Sequence, residues 1–280
     1  MFNNDLLKKH LIVLSPIPTK LNPSGALKHK ISCILFDIYG TLFISGSGDI
    51  SIAKQKAHKT EKLWKLMHKF NISRSQDELL NTLFKTIQKS HELQKNRGIH
   101  FPEVKIDRIW MQVLCITSQQ QAKAFATEFE LIVNPVFPMP HLKELLHSCK
   151  HNKILMGIIS NAQFYTPYLF NWFLGAALED LGFHQDITFF SYIAGEAKPS
   201  AKMFQAATQS LNNMGVSSSA TLYVGNDMLN DIYPAQRAGF MTALFAGDQR
   251  SLRLRKNHLQ CKNLSPDLII TDLVQLIDYI

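Results

Sequence analysis

Four short stretches carry the residue types that could do chemistry. Asp37-Ile-Tyr39-Gly40-Thr41 closes a nearly continuous apolar run, Ile31 to Phe36. A carboxylate at a strand end can attack phosphorus or carbon and form an aspartyl ester, provided the chain turns tightly after it, as Gly40 allows. Ser160-Asn161, after Ile158-Ile159, offers a hydroxyl, an amide and backbone N–H groups at a helix start, the inventory that holds an anionic oxygen. The same pair could equally be an ordinary helix cap. Lys198-Pro199 puts a cation ahead of a helix, where it can neutralise a nucleophile and the charge developing on a substrate. Gly225-Asn226-Asp227 and Asp231 supply oxygen ligands after a strand, suited to a hard cation such as Mg²⁺, although Asp231 could also sit behind the ligands or cap a helix.

Those residues need a scaffold that delivers them to one place. Ile31 to Phe36 suits a strand buried on both faces of a parallel sheet, with Asp37 at its carboxyl end. From about Ile52 the period changes: Leu63, Leu66, Met67 and Phe70, then Leu79, Leu80, Leu83, Phe84 and Ile87, recur as in amphipathic helices. The helical pattern resumes over Ile106 to Leu114 and Gln119 to Ile132 and is closed by Pro135, Pro138 and Pro140. Residues 50–137 thus read as a helical cap inserted into a core made of 1–49 and 138–280. Ile154 to Ile159, Ile187 to Tyr192, Leu222 to Val224, Thr242 to Phe245 and Leu268 to Ile270 alternate with helical segments, which predicts a doubly wound, parallel-sheet α/β core. Ligands of such sheets bind beyond the carboxyl ends of the strands, where Asp37, Ser160 and Gly225 to Asp227 all fall. Residues 1–30, with Pro16, Pro18, Pro23 and Gly25, read as an arm lying across the core. Trp64, Phe84 and Trp110 sit at helical spacing and are expected in the cap's own core, while Glu103, after Pro102, reads as a helix cap, with an active-site contact as the alternative.

Composition narrows the class. A chain of 280 residues, 46% hydrophobic, can bury one large core and a smaller module. Its four cysteines, Cys33, Cys115, Cys149 and Cys261, are scattered and form no CxxC pair, which favours reduced thiols in a cytoplasm. No apolar run is long enough to span a membrane and the first residues lack a secretory pattern, so a soluble, cytoplasmic protein is expected. The net charge of +8 would draw in a small anion, with basic density at Lys54 to Lys69 and Arg250 to Lys256. Both runs read as solvated faces, and no zinc-finger spacing or RNA-binding signature points to nucleic acid.

Taken together and in order, Asp37-Ile-Tyr-Gly-Thr41, Ile-Ile-Ser160-Asn161, Lys198-Pro199 and Val-Gly225-Asn-Asp-Met-Leu-Asn-Asp231 resemble the four motifs of the haloacid-dehalogenase superfamily. The resemblance implies a Rossmann-like core with the insertion as its cap. It implies Asp37 as nucleophile, with Thr41, Ser160, Asn161 and Lys198 around it as catalytic neighbours. Substrate would lie along Tyr39, Gly40, Ser160, Asn161 and Lys198, and Mg²⁺ among Asp37, Tyr39, Asn226, Asp227 and Asp231.

Two positions depart from that superfamily's phosphatases. Tyr39 stands where a second aspartate usually serves as general acid, and a phenol with an ordinary pKa near about 10 is a poor substitute at neutral pH. Asn226 stands where a metal-binding aspartate is usual. The Asp-x-Tyr-Gly-Thr form resembles the L-2-haloacid dehalogenases, which need no metal; against that subgroup, the fourth motif lacks its Ser-Ser-Asn run, Phe204 replaces a tyrosine, and no motif marks the cap arginine it needs, for which Arg74 and Arg97 are guesses. Three readings follow. The acidic cluster and basic composition put Mg²⁺-assisted hydrolysis of a small phosphorylated metabolite first, ahead of the other two. Tyr39 favours metal-independent dehalogenation. The two departures together favour a low-activity binding or regulatory protein on the same fold.

Overall fold

The computed structural model describes residues 4–46 and 60–280; the expected first part of the cap, 50–59, and the start of the basic run at Lys54 lie outside the described residues. The helices are α1 (Asn4–His10), α2 (Glu61–Lys69), α3 (Gln76–Lys95), α4 (Ile106–Leu114), α5 (Gln119–Val133), α6 (Leu142–His151), α7 (Tyr168–Leu174), α8 (Ser191–Ala194), α9 (Lys202–Asn213) and α10 (Tyr233–Arg237). The strands are β1 (Ser24–Gly25), β2 (Cys33–Phe36), β3 (Phe43–Ser45), β4 (Val136–Pro138), β5 (Leu155–Ser160), β6 (Phe183–Phe190), β7 (Thr221–Gly225), β8 (Met241–Phe245) and β9 (Leu268–Ile270).

One seven-stranded sheet runs in the order β1-β9-β8-β7-β2-β5-β6. All its neighbours are parallel except β1 on β9. Its inner strands are mainly apolar because helices cover both faces: Ile34, Phe36 and Ile158 enter one core cluster, Cys33, Leu35 and Ile159 the other. From β2 the chain moves outward through β5 and β6, then returns to the opposite side for β7 and β8. Asp37 therefore leaves the sheet at its switch point, and Phe36 pairs with Ile158 on one side and Val224 on the other.

The cap helices close over a cluster centred on Trp110, Phe125, Leu79 and Leu66, which Phe164 and Tyr165 of the core also enter. Their starts are fixed locally: Thr60 and Ser118 cap α2 and α5, and Ser75 with Glu78 forms a capping box on α3. Two expectations need correction. Trp64 is 51% exposed and packs on His68 rather than in the cap core. The segment expected as a strand over Ile187 to Tyr192 starts at Phe183 and stops at Phe190, because Ser191 opens α8. The proline-rich closure of the cap also contains β4, which pairs antiparallel with β3 where the chain leaves and re-enters the core; a two-stranded ribbon tolerates proline at its margin.

The N-terminal arm ties cap to core. Glu128 of α5 is buried and accepts from His10 Nε2 at 3.0 Å, Lys9 Nζ at 2.7 Å and Lys69 Nζ at 2.5 Å. Farther along, Ile17 N donates to Asp248 Oδ1, Thr19 Oγ1 to the Ala246 carbonyl, and Arg250 to the Ser15 carbonyl. No described helix is long and apolar enough to cross a membrane, and all four cysteines are free thiols.

Candidate active site

Asp37 is buried, and its Oδ1 accepts from Ser160 Oγ at 2.9 Å and Lys198 Nζ at 2.6 Å. Oδ2 has no hydrogen-bond partner among the described residues, and Asp37 lines a cavity between core and cap. Asn161 fixes the lysine by its main chain: Lys198 N donates to Asn161 Oδ1 at 2.7 Å, and Asn161 Nδ2 donates to the Lys198 carbonyl at 3.3 Å. The ammonium also meets Asp231 Oδ1 at 2.5 Å, Tyr223 OH at 3.1 Å and the Ile159 carbonyl at 3.2 Å. Burial disfavours its charge, but Asp231 and Asp37 more than compensate and raise its pKa.

The fourth motif is wound around Asp231. Its Oδ2 accepts the N–H groups of Asn226 at 3.0 Å and Asp227 at 2.9 Å. Gly225 is required for this approach, since a Cβ there would lie 2.4 Å from Asp231 Cγ. Asn226 spends its amide inside the protein: Nδ2 donates to the Ser251 carbonyl at 2.6 Å and Oδ1 accepts from Thr41 Oγ1 at 3.2 Å. Thr41 and Gly40 thus position Asn226 and the loop carrying Ser251; a Cβ on Gly40 would strike Ser251. Asp227 caps the turn through Leu229 N and Asn230 N and is gripped by Arg255, with Nη2 to Oδ2 at 2.6 Å and Nε to Oδ1 at 3.1 Å.

Of this donor set Asp37 Oδ2 is the one free carboxylate oxygen, too little to hold a divalent cation as the side chains stand. Mg²⁺ needs free, hard oxygens in near-octahedral array. Asp231 has both oxygens engaged, Asp227 is neutralised by an arginine, Asn226 Oδ1 already accepts a hydroxyl, and the Tyr39 hydroxyl is bonded to Thr166 Oγ1 at 2.9 Å. Among the described residues no group of three or more His, Cys, Asp or Glu side chains is arranged to hold a metal. Tyr39 is also a weak proton donor here, because burial, with Glu130 nearby, pushes its phenol well above the ordinary range.

The cavity of about 380 Å³ brings in residues that sequence reasoning missed. Arg253 and Arg255 line it from the core, while Arg74 and Arg97 do not. Arg253 is seated beside the fourth motif, its N–H donating to the Asn226 carbonyl at 2.9 Å while its carbonyl accepts from Met228 N at 2.9 Å. Its Nη1 donates to the Arg250 and Leu252 carbonyls, whereas its buried Nη2 has no hydrogen-bond partner among the described residues. The signal in the sequence was the basic run Arg250 to Lys256, read as a solvated face. Glu103 is no helix cap: α4 begins at Ile106, and Glu103 instead accepts from Ser191 Oγ at 2.7 Å and Val104 N at 2.9 Å in the cavity wall. Glu130 lies in the same wall and accepts from Asn134 Nδ2 at 2.9 Å and Tyr165 OH at 3.1 Å. Burial raises both carboxyls above their ordinary range. Phe84 and Trp110 serve at once as cap core and cavity wall.

A doubly wound sheet with an aspartate at its switch point, a buried lysine against it and a helical lid defines a class of capped α/β hydrolases. A family model for haloacid dehalogenase-like hydrolases matches residues 31–239, and the chain belongs to that family. No curated protein matches the chain. Among solved structures it is similar to a 2-haloacid dehalogenase from Pseudomonas syringae pv. Tomato DC3000, with TM-score 0.54, 18% identity, and 89% of this chain and 97% of that chain covered. A HAD phosphatase from Thermococcus onnurineus gives TM-score 0.53 and 17% identity with the same coverage. The L-2-haloacid dehalogenase of Xanthobacter autotrophicus, with chloropropionic acid covalently bound, gives 0.51 and 15%, again covering 89% and 97%. At these identities the likeness is one of fold.

Proposed function

We propose that this hydrolase displaces a leaving group from carbon in a small anionic substrate, with Asp37 as the nucleophile and no metal. The observation that carries the reading is that the protein's own cations already occupy the fourth-motif carboxylates, Arg255 on Asp227 and Lys198 on Asp231. Ser160 and Lys198 fix one oxygen of Asp37 and leave the other for attack. Attack forms an alkyl ester on Asp37 while the carbon–halogen bond breaks and halide leaves with the electron pair. No proton is needed at that step, which accords with Tyr39 replacing the usual acid. Water then attacks the ester carbonyl, restoring Asp37 and releasing the hydroxy acid; the net reaction exchanges halide for hydroxyl and releases one proton. The covalent chloropropionic acid of the Xanthobacter enzyme is the analogy for this chemistry, by fold alone.

Mg²⁺-assisted hydrolysis of a small phosphorylated metabolite is the second reading. It is favoured by Lys198, Arg253 and Arg255, the lysine and arginine side chains that line the cavity among the described residues, and it requires Asp227 to leave Arg255. The deciding assay offers purified protein L-2-chloropropionate and a panel of phosphomonoesters, with Mg²⁺ or with EDTA, beside an Asp37→Asn control. Halide release that ignores EDTA and vanishes in the control is expected. Phosphate release that needs Mg²⁺, with no halide released, would select the second reading instead.

A further inference from the structure

The charge along the cavity is one-sided. Among the described residues its lysine and arginine lining, Lys198, Arg253 and Arg255, comes wholly from the core, and no described lysine or arginine of the cap reaches it. The unpartnered Nη2 of Arg253 is the donor available to an anion, because Arg255 is spent on Asp227 and Lys198 on two aspartates. The cap side is made of Leu83 and Ile87 of α3, Trp110 of α4, and Phe129 and Val133 of α5. Glu103 and Glu130 stand in the same wall with only neutral donors bonded to them. His91 lies on the cap side, and burial, with Lys95 near it, favours its neutral form. Among the described residues an anion on the cap side would therefore meet two carboxyl groups and no lysine or arginine. At about 380 Å³ the space lies within the range of about 300–1,000 Å³ usual for ligand pockets and exceeds what a three-carbon acid fills.

We propose that the substrate is a monoanion with an extended apolar body: a medium-chain aliphatic carboxylic acid substituted at carbon 2. Its carboxylate binds Arg253, carbon 2 lies at Asp37, and the chain lies against Leu83, Ile87, Trp110 and Phe129. The placement of carbon 2 rests on Asp37 as nucleophile, whereas the one-sided charge and the apolar cap wall stand without it.

Binding of unhalogenated acids tests this apart from turnover. Calorimetry would measure butanoate, hexanoate, octanoate and octanedioate on the wild type, Arg253→Gln and Ile87→Trp. Each methylene taken from water should tighten binding about fourfold, so octanoate should bind at least tenfold tighter than butanoate. Octanedioate, whose second carboxylate must enter the cap, should lose that gain. Ile87→Trp should weaken octanoate while sparing butanoate, and Arg253→Gln should weaken every acid in the series. Equal affinities along the series, octanedioate binding as well as octanoate, or no binding of octanoate at millimolar concentration would each overturn the proposal. Should the chain-length trend hold while the wild type releases no halide from 2-chlorooctanoate, the reaction assigned to Asp37 fails and the binding preference stands. If Ile87→Trp does not fold, the wild-type comparison of octanoate with octanedioate decides alone.

Discussion

Asp227 and Arg255 form a bidentate ion pair, with Arg255 Nη2 2.6 Å from Asp227 Oδ2 and Nε 3.1 Å from Oδ1. The planar fork of a guanidinium matches a carboxylate and fills the directions from which a metal would approach. Arg255 thus places a fixed positive charge beside the fourth motif.

Removing that charge should create a metal site. In Arg255→Ala, Asp227 is left with its turn N–H groups and Asn230 Nδ2, and can turn an oxygen to Mg²⁺. The variant is expected to gain Mg²⁺-dependent stability, about 1.4 kcal/mol at ten times its Kd, while the wild type gains none. Thermal melts over a Mg²⁺ titration check this; equal stabilisation of both proteins would show that the pair does not exclude the metal.

Lys198→Met should be costly in a pH-dependent way. The substitution leaves Asp37 and Asp231 buried and facing each other without their shared cation, a loss of about 3–5 kcal/mol at neutral pH. Burial already holds Asp231 above the ordinary carboxylate range, and loss of the lysine raises it further. A carboxyl raised in the folded state contributes stability when protonated and loses it as pH rises through the folded value. The variant's deficit should therefore shrink from pH 7 toward pH 4, as urea melts at each pH would register; a deficit constant with pH would mean that Lys198 acts mainly through packing.

Glu128 gives the opposite sign. Burial opposes its charge, but His10, Lys69 and Lys9 outweigh burial and hold the carboxyl well below its ordinary range. Its stabilisation is present above the unfolded value of about 4.3 and is lost as pH falls toward the folded one. Glu128→Gln should lose about 1–3 kcal/mol at pH 7, and the gap should close below pH 4. Hydrogen exchange in α1 should rise in the variant, because the arm's hold on the cap is this cluster. Unchanged exchange would show that the apolar contacts of Leu7 and its neighbours hold the arm by themselves.

The convergence of Asp37, Ser160, Lys198 and Asp231 was legible because each follows or precedes a strongly patterned element, and parallel-sheet topology gathers strand ends. Arg253 was not legible: its place depends on pairing with Asn226 and Met228, a contact that no local period encodes. Glu128 reads as one polar position of an amphipathic helix, and only the return of residues 9 and 10 onto α5 makes it a buried hub. Trp64 misled for a related reason. Its spacing matches the buried face of α2 within one helical step, so periodicity alone does not separate the edge of an apolar stripe from its centre. Glu103 looked like a cap because Pro102 precedes it, yet the helix starts later and Ser191 claims the carboxyl.

Glu130 offers a test in which a substitution should stabilise. Its carboxyl is buried among Asn134 and Tyr165 with no lysine or arginine among the described residues bonded to it, and burial raises its pKa. The protonated form is the one the fold accommodates. Its stabilisation is complete below the unfolded value of about 4.3 and is lost as pH climbs through the folded one. Glutamine keeps the size and the hydrogen-bonding oxygen for Tyr165 without the charge. Glu130→Gln should match the wild type near pH 4 and exceed it by a margin that widens toward pH 8. Chemical denaturation at several pH values measures that margin, and a variant that falls below the wild type at pH 8 would mean that the carboxylate, not the neutral acid, is what the cavity wall is built to hold.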